Sequence, residues 1–254
     1  MRIISYNVNG LRAAFGKGFA DWLKTESPDI LCVQETKAQH EQIDTKVLEY
    51  LGYNSYIHSA EKKGYSGVAL FSKMKPKAVT MGMGIERFDS EGRILCAHFD
   101  KFSVISTYIP SGTTGDERQD FKMEFLDAFY RYIAETRKVH PNLVVSGDYN
   151  ICHKPIDINH PKKHEKMSGF LPDEREWFDK FIEMGLIDTF RVFNQQADQY
   201  SWWSYRANSR AKNLGWRIDY HIATETLRPY LLSARILNHV EHSDHCPVEV
   251  TIDI

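Results

Sequence analysis

The sequence predicts an α/β fold in which two packed β-sheets carry helices on their outer sides. Three observations support this prediction: short apolar runs bounded by turn-forming residues, a series of such runs with short connections between residues 53 and 109, and amphipathic helical segments between other runs. The predicted strands outnumber the helices and are too many for one short sheet. Two packed sheets with helices outside, an α/β sandwich, are therefore expected.

The predicted strands are apolar runs of four to seven residues, bounded by Gly, Pro, Asn, Asp or Ser. In chain order they are Arg2–Tyr6, Asp29–Val33, Val68–Ser72, Ile94–Phe99, Ser103–Ile109, Leu143–Ser146, Ile218–Ala223 and Pro247–Ile252. The short connections between residues 53 and 109 leave no room for long helices, which favours antiparallel pairing in that region.

Three segments are predicted to be helices. Asp116–His140 is amphipathic, with apolar side chains at i, i+4 spacing at Phe121, Phe125, Phe129 and Ile133. Pro172–Met184 begins with proline followed by acidic residues, which is typical of a helix N-terminus. A third helix over Gly10–Lys24 is weakened by Gly16 and Gly18.

Length and composition are typical of a globular protein. The chain has 254 residues, 42% of them hydrophobic, so we expect one domain, and a monomer. No apolar stretch approaches the length of a membrane span, and the first residues lack the features of a secretory signal. The four cysteines are scattered without a C-x-x-C pair, which favours core packing over disulfides or zinc binding. A reduced, cytoplasmic protein is expected.

The charge balance does not by itself indicate a nucleic-acid-binding protein. The formal net charge is −2, whereas such proteins usually have a basic surface. Any phosphate-binding charge must therefore be local or supplied by a metal. The segment Arg206–Lys212 is the best local candidate, because it contains Arg206, Arg210 and Lys212 with no acidic residue. Lysine-rich segments at residues 62–63 and 160–166 are further candidates, although such runs are more often solvated surface.

Polar residues repeatedly occur at the edges of the predicted strands. They are Asn7, Asn9, Glu35, Tyr108, Asp148, Asn150, Asp219, Asp244 and His245. If these side chains met at one rim of the sandwich, the carboxylates would repel each other unless a cation joined them. Clusters of carboxylate and amide oxygens suit Mg²⁺ or Mn²⁺ rather than Zn²⁺.

Each of these motifs also has a structural interpretation. Gly147–Asn150 alone is more often a turn, and Asn7 and Asn9 alone are common in Asx-turns. Asp219 is harder to explain in this way, because an acid within an apolar run is costly unless it is paired. His245 is a candidate partner for it.

Seven segments occurring in one order identify a family. The chain closely resembles the exonuclease III / apurinic-apyrimidinic (AP) endonuclease family, within the endonuclease–exonuclease–phosphatase superfamily, from Ile3 to about Ile252. The segments that carry the resemblance are Ser5–Arg12, Val33–Lys37, Gly64–Val68, Thr107–Pro110, Gly147–Asn150, Gly215–Tyr220 and Ser243–Pro247. Each motif is modest alone, but all seven in order are highly specific.

The resemblance implies a DNase I-like, four-layer α/β sandwich with two packed mixed sheets. It also implies a Mg²⁺-dependent DNA-repair nuclease, with Mn²⁺ able to substitute. Such an enzyme cuts duplex DNA 5′ to abasic sites, leaving a 3′-OH, and trims blocked or recessed 3′ ends. Glu35 resembles the family's metal-binding glutamate. Asn7 and Asp244 match positions that contribute to the metal site, and Asn9 matches a position that is Asp in some members and Asn in others.

The resemblance also implies catalytic roles. Asp148 matches the residue that orients or deprotonates the attacking water, with Asn150 beside it. His245, supported by Asp219, matches the histidine that contacts the scissile phosphate, and Tyr108 matches a tyrosine near the same phosphate. Asp148, Asn150 and His245 also belong to the implied set of metal-site residues.

The implied DNA-binding residues lie in the last quarter of the chain. Trp202, Trp216 and Ile218 match the apolar trio lining the family's abasic pocket, although either tryptophan alone would suggest an ordinary core aromatic. Arg206 matches a position that wedges into the duplex beside the lesion. Arg210 and Lys212 are candidate phosphate contacts because of the positive charge of their segment and not because of the resemblance.

The chain departs from the family pattern at two places. His164 and Met167 stand where many members carry asparagines that touch phosphate or the abasic nucleotide. The loop around Thr114 lacks an arginine that some members use to contact DNA. Two alternative functions follow from the same fold: another phosphatase or phosphodiesterase, or a catalytically weak nucleic-acid-binding regulator.

Overall fold

The computed structural model describes every residue from Met1 to Ile254. The strands are β1 (Arg2–Asn7), β2 (Ile30–Gln34), β3 (Asn54–His58), β4 (Val68–Ser72), β5 (Ala78–Met81), β6 (Ile94–His98), β7 (Ser103–Tyr108), β8 (Leu143–Asp148), β9 (Leu186–Asp188), β10 (Trp202–Trp203), β11 (Gly215–Trp216), β12 (Asp219–Thr224), β13 (Leu231–Ile236) and β14 (Val248–Ile252). The α-helices are α1 (Leu11–Phe15), α2 (Phe19–Glu26), α3 (Thr45–Tyr50), α4 (Glu86–Asp89), α5 (Asp116–Val139), α6 (Pro161–His164), α7 (Pro172–Glu183) and α8 (Thr189–Phe193). Short 3₁₀ turns lie at His40–Gln42, Pro155–Asp157, Arg206–Asn208 and Glu225–Tyr230.

The strands form two six-stranded mixed sheets. The first sheet has the order β13-β14-β1-β2-β4-β3 and the second the order β5-β6-β7-β8-β12-β9. The pairs β1–β2 and β7–β8 are parallel, and every other pair in these sheets is antiparallel. Strands β10 and β11 form a separate ribbon. All eight predicted strands are present, and the antiparallel pairing predicted between residues 53 and 109 is confirmed.

Adjacent strand residues point into different apolar layers, as the period of a strand requires. Ile3 packs between the two sheets, whereas Ile4 packs outward against the layer that contains α1, α2 and α3. In the second sheet, Val144 faces the inter-sheet core and Val145 faces α5 and α7. Helices therefore cover the outer face of each sheet, which confirms the four-layer sandwich. The four cysteines are free and buried, as predicted for core packing.

The structure differs from the prediction at one helix and at the sheet edges. The helix predicted over Gly10–Lys24 is two helices, because the chain turns between Phe15 and Phe19 and Gly18 has a left-handed φ of 91°. Edge strands β3, β5 and β13 are not among the predicted strands, since most of their residues are partly buried or exposed and lack a continuous apolar pattern. The helices include none with the length and apolar character that crossing a membrane requires.

A buried histidine joins the two sheets and makes stability depend on pH. His221 on β12 donates from Nε2 to the Val248 carbonyl at 2.9 Å and accepts from Ser146 Oγ at Nδ1, 2.8 Å away. Burial lowers its pKa from 6.5 to about 4, despite the hydrogen bond to Val248. Below pH 6.5 this histidine therefore becomes protonated in the unfolded chain, whereas in the folded protein it stays neutral until the pH approaches about 4. Folding stability should fall by about 3 kcal/mol across that window as the pH falls.

Urea unfolding at several pH values between about 7.5 and 4 measures this loss. His221→Gln is the matched variant, since the glutamine amide retains hydrogen-bonding capacity but does not titrate. It should be less stable than wild type at pH 7.5 and should lose less stability on acidification. Equal losses in the two proteins would show that His221 does not carry the effect.

Candidate active site

The strand ends bring the predicted site residues to one rim of the sandwich. Asn7 ends β1 and Glu35 directly follows the parallel strand β2, so both lie at the same edge of the first sheet. In the second sheet, Tyr108 and Asp219 both pair with Asp148, because β7 is parallel and β12 antiparallel to β8. Asp244 and His245 come just before β14, which runs antiparallel to β1. The pairing pattern thus explains why residues far apart in the chain converge.

Asn7 connects the two sheets at this rim. It is fully buried, and its Nδ2 donates to Glu35 Oε1 and to Asp148 Oδ2, both at 2.9 Å. Its Oδ1 accepts from the Asn9 backbone N–H at 3.0 Å. The amide therefore holds two carboxylates from different sheets at a fixed separation, while its own oxygen is already hydrogen-bonded.

Four site residues have left-handed backbone conformations: Asn9 (φ 47°), Glu35 (φ 51°), Lys37 (φ 47°) and Asn150 (φ 50°). Asparagine adopts this region more readily than most residues, but glutamate does so rarely. The Glu35 carbonyl accepts from the Gly10 N–H at 2.8 Å, which helps to hold this turn. Backbone strain of this kind is concentrated at functional sites in proteins.

Asp148 is almost completely buried and is held by its neighbours. Asn150 donates its backbone N–H to Asp148 Oδ1 at 2.8 Å and its side-chain Nδ2 to Oδ2 at 3.3 Å. The same Nδ2 also donates to the Ile109 carbonyl at 2.9 Å, so the orientation of the amide is defined. Burial raises the pKa of Asp148 to about 7, with the charge of His245 opposing and that of Asp219 adding to the shift.

His245 and Asp219 form a buried pair beside Asp148. His245 Nδ1 donates to Asp219 Oδ2 at 2.9 Å, and its Nε2 faces Asp148 Oδ2 at 3.9 Å. Ser201 Oγ donates to the same Asp219 oxygen at 2.6 Å and accepts from the Ile218 and Asp219 backbone N–H groups. Burial alone would lower the pKa of His245, but Asp219, Asp148 and Asp244 outweigh it and raise the pKa to about 10. The imidazole is therefore charged at neutral pH.

A cluster of possible metal-binding groups lies at the centre of the rim. One ligand atom each from Glu35, Asp148 and His245 lies within 4.8 Å of the others. The oxygens of Glu35 and Asn9 also converge on one cationic group, because Lys37 Nζ lies 2.7 Å from Glu35 Oε2 and 2.5 Å from Asn9 Oδ1. Oxygen donors that already surround a positive charge fit a hard divalent cation.

The charge of Lys37 affects the site as well. Burial would raise the pKa of Glu35, but the Lys37 charge, with hydrogen bonds from Lys37 and Asn7, lowers it. Asp244 lies outside the central cluster. Its Oδ1 accepts from Asn9 Nδ2 at 2.9 Å and its Oδ2 from Trp202 Nε1 at 3.0 Å, so it links the metal side of the site to the apolar side.

A cavity of about 400 Å³ contains both the polar cluster and the predicted apolar trio. The rings of Trp202 and Trp216 meet edge to face, with centroids 5.8 Å apart, and both pack with Ile218. Tyr108 also lines the cavity, and the charge of Glu35 adds to burial in raising its pKa well above the ordinary value. The cavity thus has an apolar wall directly beside the carboxylates.

The first departure from the family pattern, His164 and Met167, lies beside Trp216 in this wall. Met167 lines the cavity, and His164 packs edge to face on Trp216 with ring centroids 5.3 Å apart. The His164 Nδ1 lies 3.0 Å from the Met167 sulfur. Gly169 approaches Trp216 so closely that a Cβ there would lie 2.7 Å from the ring, and its φ is 96°. The wall has little free space at this point.

Of the three basic residues predicted to contact DNA outside the cavity, two are exposed and one is hydrogen-bonded within the protein. Arg206 is exposed on a 3₁₀ turn. Lys212 is also exposed, with Nζ 3.1 Å from the Ala207 carbonyl. The guanidinium of Arg210 is instead used within the protein, where it packs over the Trp203 ring and donates to the carbonyls of Asn238, Val240 and Ser243. Its structural surroundings argue against the phosphate contact predicted for it.

Two residues of the site were missed by sequence reasoning. Lys37 lies within the Val33–Lys37 segment, but a lysine two residues after a glutamate is common and gives no separate signal. Ser201 directly precedes Trp202, and nothing in the sequence indicates that its hydroxyl would contact Asp219.

Comparison with known proteins places this geometry in context. The model of the endonuclease/exonuclease/phosphatase family matches residues 4–245. The chain is 44% identical to an exodeoxyribonuclease of Bacillus subtilis over 256 residues, covering 100% of both chains. It is 39% identical to the DNA repair nuclease APEX1 of Danio rerio, covering 100% of this chain and 83% of that protein. An AP endonuclease structure from Archaeoglobus fulgidus superimposes with a TM-score of 0.92 at 30% identity, covering 100% of both chains.

Proposed function

This chain belongs to the endonuclease/exonuclease/phosphatase family, and from this premise we propose that it incises duplex DNA 5′ to abasic sites and trims 3′ ends. The enzyme is a phosphodiester hydrolase, as its exodeoxyribonuclease and AP endonuclease relatives are. The observation that carries the proposal is one cavity in which Asp148 and His245 lie beside the apolar wall of Trp202, Trp216 and Ile218. Phosphodiester chemistry and recognition of a base-free sugar can therefore occur at adjacent points.

The metal is proposed to be Mg²⁺, with Mn²⁺ able to substitute. Glu35 and Asp148 would be its principal ligands, and Asn9, Asn150 and Asp244 would contribute from the surrounding shell. Asn7 supports the site by fixing both carboxylates. A bound divalent cation supplies Lewis-acid charge that stabilises the phosphoryl and leaving-group oxygens.

Asp148 is proposed to orient and deprotonate the attacking water. The two hydrogen bonds from Asn150 fix the orientation of this carboxylate, and a positioned carboxylate can take a proton from the attacking water. Asn150 thereby positions the base. The products would be a 3′-OH and a 5′-deoxyribose phosphate.

His245 is proposed to stabilise the charge of the scissile phosphate. The ring is cationic at neutral pH because its pKa is about 10, and a fully protonated imidazole has no lone pair for a metal. We therefore favour the phosphate over the metal as its partner. Asp219 holds the ring through Nδ1, and Tyr108 lines the same cavity near the phosphate position.

The apolar trio is proposed to receive the displaced abasic sugar. A nucleotide without a base has little stacking or pairing to lose, so extruding it from the duplex costs little. Trp202, Trp216 and Ile218 form an apolar surface of the cavity against which a bare sugar can pack. Arg206 and Lys212 are exposed and free to approach the duplex, whereas we assign Arg210 to holding the loop at residues 238–243.

The alternative of a catalytically weak regulator is not favoured, because such a protein would be expected to lack acidic groups at the metal site. Here Glu35 and Asp148 are bridged by the Asn7 amide, and Asp219 is hydrogen-bonded to His245. A phosphatase or phosphodiesterase with a different substrate would share these acids, so the apolar wall and the DNA nucleases among the relatives favour DNA.

The decisive experiment is incision of a 5′-labelled duplex that carries one abasic analogue, beside an intact duplex with a recessed 3′ end. We expect one metal-dependent cut at the lesion that EDTA abolishes, and laddering of the intact duplex that measures the exonuclease activity. Retained DNA binding without cleavage of either substrate would instead support the regulator.

A further inference from the structure

A fully buried ion pair lies behind the cavity wall. Lys122 Nζ on α5 lies 2.5 Å from Glu174 Oε1 on α7, and neither side chain has any exposed surface. Neither residue lines the cavity, and neither belongs to the motifs that identify the family. The pair therefore requires an explanation beyond direct contact with substrate.

The hydrogen bonds of this pair go to the backbone of the active-site wall. Lys122 Nζ donates to the Asn150 carbonyl at 2.8 Å. Glu174 Oε2 accepts from the Gly169 N–H at 2.7 Å and from the Leu171 N–H at 2.9 Å. The Lys122 charge thus holds the backbone of Asn150, whose side chain contacts Asp148. The Glu174 charge holds Gly169, which packs against Trp216.

The connected segment forms part of the cavity. Met167, Ser168 and Gly169 line it, and Ser168 Oγ donates to Gln119 Oε1 at 2.7 Å while Gln119 Nε2 donates to Glu174 Oε1 at 3.2 Å. The Gly169 carbonyl accepts from the Cys152 N–H at 2.7 Å. Each attachment therefore ties the Met167–Gly169 wall to α5, to α7 or to the chain that follows Asn150.

Stability alone is a weak reason to bury such a pair. Removing two charges from water is costly, and apolar residues of similar volume often replace a buried ion pair without loss of stability. What apolar residues cannot supply is a donor for the Asn150 carbonyl and an acceptor for the Gly169 and Leu171 N–H groups. The specific contribution of the pair is the position of these backbone groups.

We propose that Lys122 and Glu174 are positioning residues that hold the Met167–Gly169 segment of the cavity wall against Trp216. Through this contact they set how strongly the enzyme prefers an abasic duplex to an undamaged one. This inference rests on the proposed function, because it assigns the wall to lesion recognition. A Cβ on Gly169 would lie only 2.7 Å from the Trp216 ring, so a small displacement of this wall changes the shape of the cavity. Binding of undamaged duplex depends on surface contacts and is independent of the pair.

The test uses the double variant Lys122→Met/Glu174→Leu, which removes the donor to the Asn150 carbonyl and the acceptor for the Gly169 and Leu171 N–H groups. Both new side chains are neutral, so neither partner is left as an unpaired buried charge. Fluorescence anisotropy without metal measures affinity for an abasic duplex and for the undamaged duplex of the same sequence. We expect discrimination between the two to fall about tenfold to 100-fold, with affinity for undamaged DNA within about twofold of wild type. KM for incision should rise in parallel with the lost discrimination.

The control is Glu249→Gln, which weakens another buried carboxylate, one that accepts from Arg2 and Arg235 on the first sheet. It should lower the urea midpoint but keep discrimination and KM. A folded double variant with wild-type discrimination and KM would overturn the inference. If the wild-type protein did not prefer the abasic duplex or did not incise it, the proposed function itself would be wrong, whatever the variants showed.

Discussion

Asp148→Asn should lower the single-turnover rate of incision by about 10³-fold or more, since a positioned base contributes about 10²–10⁴-fold and a charge near the metal is lost as well. Affinity for the abasic duplex should change less than about tenfold, because the Asp148 side chain is almost fully buried and contributes little binding surface. The amide retains an oxygen that can accept from the Asn150 N–H, so this turn should persist, although the bonds that Asp148 Oδ2 accepts from Asn7 and Asn150 are lost. Rapid quench on a 5′-labelled duplex gives the rate, and anisotropy gives the affinity.

Asn150→Ala is the companion variant for this measurement. It leaves the Asp148 charge in place and removes the side-chain donor to Oδ2 and to the Ile109 carbonyl. It should slow incision less than Asp148→Asn does, because the base remains but is less well oriented. A rate for Asp148→Asn within about tenfold of wild type would remove Asp148 from the role of base.

The central part of the fold could be predicted from the sequence because buried strands carry a continuous apolar pattern. Val68–Ser72 was predicted with its observed bounds, since all five of its residues are buried. Strand β13 alternates between partly buried and exposed residues at the edge of its sheet, so its pattern resembles a loop. The break between α1 and α2 was underestimated, because a glycine pair lowers helix propensity without showing where the chain turns.

The site was predictable only as a set of residues and not as an arrangement. The motifs identified Asp148, Asp219 and His245, but their contact depends on β8 pairing with β12 and on β14 lying beside β1. Arg210 shows the opposite case, since a basic residue in a basic segment resembles a phosphate contact until the carbonyls around it are known. The role of Lys122 cannot be predicted from the sequence either, because its partner Glu174 is 52 residues away along the chain.

Asp219→Asn should lower incision at neutral pH by about 10²–10³-fold, the usual effect of removing one electrostatic stabiliser of the transition state. The charge of Asp219 is the largest influence that raises the pKa of His245 against the opposing effect of burial. Without that charge the pKa falls, and the neutral ring no longer stabilises the phosphate. The wild-type ring stays cationic until the pH approaches about 10. In the variant, the rate should therefore fall as the pH rises through a lower value than in the wild type.

The pH dependence of the single-turnover rate separates this charge effect from a loss of structure. Ser201→Ala is the matched control, because it removes the hydroxyl that donates to Asp219 Oδ2 but leaves the carboxylate charge. The rate of Ser201→Ala should fall less than that of Asp219→Asn. The pH at which its rate declines on the alkaline side should stay closer to that of the wild type. If Asp219→Asn lowered the rate equally at every pH, the carboxylate would act by holding the ring in place and not by keeping it charged. The cationic role of His245 would then have to be abandoned, although its position beside the phosphate would stand.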